Sequence, residues 1–199
     1  MKLIKGSALA LIIVSAQASA AYSVGFRAGM INQEFSVTSH SSNQSSFSYG
    51  LEVSELSYFW KNISLGWSIA ADMAKVNHDS LKDLETLDVL AGPVFSYRIA
   101  AIAPEYCGCR VRRVHDGISV FIKPQVNYWS ADWDMGGGAD SESDVGLAWS
   151  AGLKYQDSRN FALGVEYQEV YREITLNRSA GSSIDIDDER VVFSLGYRF

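Results

Sequence analysis

Beyond residue 20 the chain has no apolar run long enough to cross a bilayer as a helix, which takes roughly 20 residues. Any later crossing must use a closed sheet, because lipid leaves no other way to satisfy the backbone. Basic side chains are also in the minority, 17 Lys and Arg against 23 Asp and Glu, for a net charge of −6. Nucleic-acid binding leaves a basic stripe, so no nucleic-acid partner is expected. Three prolines and 16 glycines in 199 residues do not suggest disorder. Cysteine is limited to Cys107 and Cys109.

What is present begins with "MKLIKGSALALIIVSAQASA". Lys2 and Lys5 precede an apolar run from Ala8 to Val14 and then Ala18-Ser19-Ala20. This is the n-region, h-region and A-x-A site of a secretory leader. Cleavage after Ala20 is expected, leaving 21–199 as one domain with 15 basic and 23 acidic side chains, or −8.

The mature part alternates with a period of two. The chain ends on "VVFSLGYRF", where Val191, Phe193, Leu195, Tyr197 and Phe199 share one face. A period of two marks a strand with unlike faces. Similar segments start near Tyr22, Tyr49, Ile63, Leu87, Ile118, Val145 and Phe161. In the second, Leu51 and Val53 share one phase and Leu56, Tyr58 and Trp60 the other, which predicts a bulge at Ser54–Glu55. In the fourth, Pro93 cannot donate to a ladder, so a bond is missing there or a bulge absorbs it. The seventh loses its phase near Glu169–Arg172.

Eight such segments make an even count, the smallest among bacterial transmembrane barrels. Their length suits a tilted membrane strand of about 9–11 residues, whereas sandwich strands peak at about 5–6. The expected fold is therefore all-β: an eight-stranded antiparallel up-and-down transmembrane barrel, apolar outside and polar within. Connections at 61–62 and 157–160 are short; those at 32–46, 77–85, 136–144 and 178–189 are longer and polar. Short periplasmic turns and long outer loops are the barrel pattern. The stretch 101–117 breaks it, being a long connection on the periplasmic side.

On the inward phase lie Arg27, Glu52, Asp72, Asp88, Arg98, Lys123, Lys154, Glu166 and Arg198. Eight strands leave an interior just wide enough for side chains, so these charges are expected to pair and plug the lumen. The alternative is a small ion path. Tyr22, Trp60, Tyr97, Tyr155, Tyr197 and Phe199 gather near the periplasmic rim as an aromatic belt.

"LAGPVFSYRIA", "WSAGLKYQDSRNFALGVEYQEVYRE" and the closing "SLGYRF" resemble strands of the OmpX/Ail/Lom family of small outer-membrane proteins, relatives of the OmpA membrane domain. The resemblance covers most of the mature chain but not the loops. It implies an integral outer-membrane barrel in a Gram-negative bacterium, with lipid and lipopolysaccharide as surroundings. It also implies the barrel assembly machinery as a partner, read through the terminal Phe199. Some members promote adhesion or serum resistance through outer loops. The 101–117 insertion and its two cysteines depart from the family.

Cys107 and Cys109 would sit in an oxidising compartment, so a disulfide is open to them. With His115 they offer three candidate metal ligands, and a structural bridge or free thiols are the plainer reading. Arg110, Arg112 and Arg113 make the same turn basic. Asp132, Asp134, Asp140, Glu142, Asp144, Asp185, Asp187, Asp188 and Glu189 make the outer loops acidic, read as solvated charge. His40, His78 and His115 form no His/Ser pair of the kind a lipid-modifying barrel needs. No catalytic residue, metal site or cofactor is expected. The sequence points to a non-enzymatic barrel serving envelope structure or surface interaction with host or environmental ligands through its loops. A narrow channel or transporter is the alternative.

Overall fold

The computed structural model describes residues 22–37, 40–60, 62–76, 82–101, 117–134, 139–157, 160–177 and 182–199. Eight strands run in chain order: β1 Tyr22–Val37, β2 His40–Trp60, β3 Ile63–Val76, β4 Lys82–Ala100, β5 Gly117–Asp134, β6 Ala139–Gln156, β7 Phe161–Asn177 and β8 Ser182–Arg198. Each pairs antiparallel with its neighbours in sequence, and β8 returns to β1 to close the barrel. Closure leaves no open sheet edge in lipid, which is what a membrane-crossing sheet requires. Tyr22 accepts a 2.8 Å bond from the Phe199 N–H, so both chain ends of the barrel meet at one rim.

Alternation decides which way each side chain faces. Phe26, Met30, Phe95, Leu147, Leu163 and Phe193 are all about half exposed or more on the outer surface. Their inward neighbours are buried: Arg27, Asn127, Ser150, Glu166 and Arg190 are each at most 4% exposed. Water would not favour this arrangement of large apolar side chains, but acyl chains do.

The strands are longer than the sequence pattern indicates. Much of 32–46, 77–85, 136–144 and 178–189, expected as loops, is paired strand. The outward face of these stretches is polar while inward residues such as Gln33, Leu84, Ile186 and Asp188 stay buried, so the ladders continue where the apolar period disappears. The bulge expected at Ser54–Glu55 is absent, since β2 pairs with β3 without a shift from Phe47 to Tyr58. The shift falls between Tyr58 and Trp60 instead. Leu56 accordingly lines the lumen and Glu55 lies on the outward phase.

The ladder is thin in two places. Between β4 and β5 it stops at Ala91↔Val126 and resumes at Phe95↔Ile122, in the same register. That register sets Pro93 opposite Pro124, and two absent N–H donors at one opposed pair remove the bonds that would close this stretch. Between β6 and β7 the pairing ends at Ala148↔Val170, although both strands continue outward. Residues 139–147 therefore pair only with β5, and 171–177 only with β8.

Candidate functional site

The lumen is the built polar site of this molecule, and its occupants follow from strand phase. Arg27 of β1 lies at the centre of a lower tier. Its guanidinium reaches Glu52 at 2.8 Å, Asp72 at 3.1 Å and Glu166 at 3.6 Å. Lys123 of β5 crosses the barrel to Glu52 at 3.0 Å and Glu166 at 2.7 Å. Four strands besides β1 thus meet at one level, each supplying a side chain from its inward phase.

A second tier lies farther from the termini. Arg190 donates to Asp88 and Asp188, both at 2.6 Å. Arg172 reaches Asp88 at 3.0 Å and also pairs with Asp188. Asn127 donates to the other oxygen of Asp88 at 3.0 Å. All four charged groups are almost fully buried, where an unpaired charge would cost several kcal/mol, about 3–5 when a partner is removed.

Arg172, Asp188 and Arg190 were not among the lumenal residues expected from the sequence. Asp188 was assigned to an acidic outer loop; here it is buried and doubly paired. A signal existed. Counting by twos from Glu166 reaches Arg172, and counting back from Val192 reaches Arg190 and Asp188. The outward phase hides it, because Glu169, Asp187 and Glu189 break the apolar face there.

At and beyond the second tier large apolar side chains join buried Gln33 and Thr86 in filling the lumen. Ile31, Leu84, Trp129, Trp133 and Ile186 are all at most 3% exposed. On the other side of the lower tier is a cavity of about 50 Å³, lined by Ser54, Ser96, Phe121, Lys154, Gly164 and Ser194 among others. At the rim, Arg98 donates to Asn62 at 3.2 Å and Arg198 to Asn160 at 3.4 Å. Asn160 holds a positive φ of 73° in the short β6–β7 turn, a conformation asparagine tolerates.

The outer surface carries aromatics near this rim. Tyr197 packs edge-on against Phe161 and Phe199 at 5.4 and 5.2 Å. Tyr22 packs against Trp67 at 6.2 Å, and Tyr97 and Tyr155 are exposed. Trp60 ends β2, and its side chain lies outside the described residues. Two outward carboxylates went unforeseen. Glu55 accepts the Trp67 indole N–H at 2.7 Å. Glu169 accepts from Trp149 at 2.8 Å and Tyr167 at 2.9 Å, and also from the Tyr171 hydroxyl. Cys107, Cys109, His78, His115 and the 110–113 arginines lie outside the described residues, as does the side chain of His40.

The family model for the outer membrane protein beta-barrel domain matches residues 6–199. The chain belongs to this family. Its setting is therefore the outer membrane, which it crosses as an integral barrel. Neisserial surface protein A shares the fold at 14% identity and a TM-score of 0.59, over 88% of this chain and 97% of that one. Ail, the attachment invasion locus protein of Yersinia pestis, aligns at 20% identity and 0.48, over 89% and 98%. OprG of Pseudomonas aeruginosa aligns at 9% identity and 0.48, over 91% and 96%. No curated protein matches the chain. For a family barrel, termini and short turns face the periplasm and the long hairpins face outward. The cavity and the arginine rim then lie on the periplasmic side, and the tryptophan cap on the outer side.

Proposed function

We propose that this outer-membrane barrel is a non-enzymatic surface protein that makes contact through its outer hairpins and conducts no steady ion current. The observation that carries the reading is the filled lumen. Two tiers of paired charge and a cap with Trp129 and Trp133 stand between the two ends. An interior of eight strands has little room beyond such side chains. The outer hairpins supply the contact surface: β2 alone has 21 residues, where a tilted crossing needs roughly 9–11.

Lipopolysaccharide surrounds this outer rim in the proposed setting, and the assembly machinery inserts the barrel by its terminal Phe199. A leader cleaved after Ala20 delivers the chain to the periplasm. Intact-mass measurement of the membrane form would give a mature chain beginning at Ala21.

Planar-bilayer recording of the purified barrel tests the sealed lumen. Baseline current is expected, and a reproducible unitary conductance would replace this reading with the narrow-channel one. Cells carrying shortened β1–β2 or β7–β8 hairpins should lose binding to host cells or matrix proteins. Unchanged binding for every shortened hairpin would leave only an envelope role.

A further inference from the structure

The cavity below the lower tier contains three polar side chains with no partner among the described residues. Lys154 makes no hydrogen bond and has no carboxylate at salt-bridge distance. Ser96 and Ser194 line the same cavity and their hydroxyls are likewise unbonded. The carboxylates that attract Lys154, Glu52 and Glu166, are both held by Lys123, at 3.0 and 2.7 Å, and by Arg27. Glu52 and Glu166 line the same cavity and draw Lys154 toward them, while Lys123 and Arg198 add positive field that offsets the two carboxylates. Gly25, Gly164 and Gly196 leave the wall without side chains, so the space remains.

We propose that this cavity is a binding site for a small oxyanion of the phosphate or carboxylate class, entering from the periplasm and held by Lys154 with Ser96 and Ser194. The chemistry fits the donors: one ammonium supplies charge, and hydroxyls can donate to further oxygens of the same anion. The size fits as well. The cavity measures about 50 Å³, on a scale where one water takes roughly 10–15 Å³, so a few waters or one small oxyanion fill it. The attraction acts in a narrow lumen walled by protein and lipid, where charge is screened less than in bulk water. Lys123 cannot serve the same purpose, because both lower-tier glutamates already hold it.

The test uses the folded full-length barrel in a maltoside micelle, which carries no phosphate, at constant ionic strength. Inorganic phosphate and acetate are titrated separately and followed by amide proton–nitrogen spectra. Saturable shifts are expected at Lys154, Ser96, Ser194 and Gly164, with a dissociation constant on the order of 1 mM. Saturation by phosphate alone narrows the site to tetrahedral oxyanions; saturation by acetate as well makes it a general one. Lys154→Met should weaken binding at least tenfold and Lys154→Arg should retain it, with Lys75→Met as the surface control. If Lys154→Met fails to fold, judged by heat-modifiable gel migration, Ser194→Ala takes its place with at least threefold weakening. Linear, unsaturated shifts with both anions, or a folded Lys154→Met that binds as tightly as the parent, would overturn the proposal.

Discussion

Lys123 shows how much one side chain carries inside this barrel. Its ammonium joins two glutamates from β2 and β7, strands that do not pair with each other. Lys123→Met removes a buried cation and leaves Arg27 as the cation at salt-bridge distance from both carboxylates among the described residues. A loss of about 3–5 kcal/mol is expected, read from urea unfolding in micelles. Adding Glu166→Gln should restore part of it, because one orphaned carboxylate is then neutral. An unchanged midpoint for Lys123→Met would mean that the tier does not hold the lumen together. At this scale the sequence was readable wherever the outward phase stays apolar. Arg27, Glu52, Asp72 and Lys123 all sit between greasy neighbours and were identified by phase alone. Arg172 lies between Tyr171 and Glu173 and Arg190 between Glu189 and Val191, where the outward phase mixes charged and apolar residues, and only the closed barrel shows them facing inward.

Strands are limited by their backbones as well as their faces. Pro93 and Pro124 stand opposite each other in the β4–β5 ladder. Replacing both with alanine returns two N–H donors to that gap. The double variant should gain about 1 kcal/mol, the hydrogen bonds outweighing the added freedom of the unfolded chain. Amide exchange at residues 92, 94, 123 and 125 should slow at the same time; no change in either measurement would mean the gap is already closed in another way. The sequence announced a missing bond at Pro93 but not its partner, because register is set by pairing across strands. The same limit explains Ser54–Glu55, where an apparent phase slip was only Leu56 turned into the lumen and Glu55 turned out to Trp67.

As a whole, the molecule is inside out relative to a soluble sandwich. Val165 and Leu163 face outward on β7 while Glu166 points into the lumen and is buried. Lysine at Val165 should cost about 2–4 kcal/mol if this face meets lipid near the midplane. The measurement is the folded fraction after refolding into vesicles, with a lysine at exposed Asn43 on the outer hairpin as the comparison. Equal folding of the two variants would contradict the lipid-facing assignment. The short β6–β7 ladder belongs to this scale too, since it limits how far the cylinder remains closed toward the outside.

Alternation determined the eight strands and their two faces, because side chains on an extended chain must alternate whatever surrounds them, and segment length chose the barrel with its apolar face toward lipid. The nine charges placed in the lumen from the sequence came from that same rule. Which of them touch was decided only by closure, which brings β1, β2, β5 and β7 to one level and lets Lys123 reach Glu52 across 71 residues of chain. Tertiary structure also decided where strands end and which lumenal cation stays unengaged. Both depend on distances across the barrel, and a period of two along one strand contains no such distance.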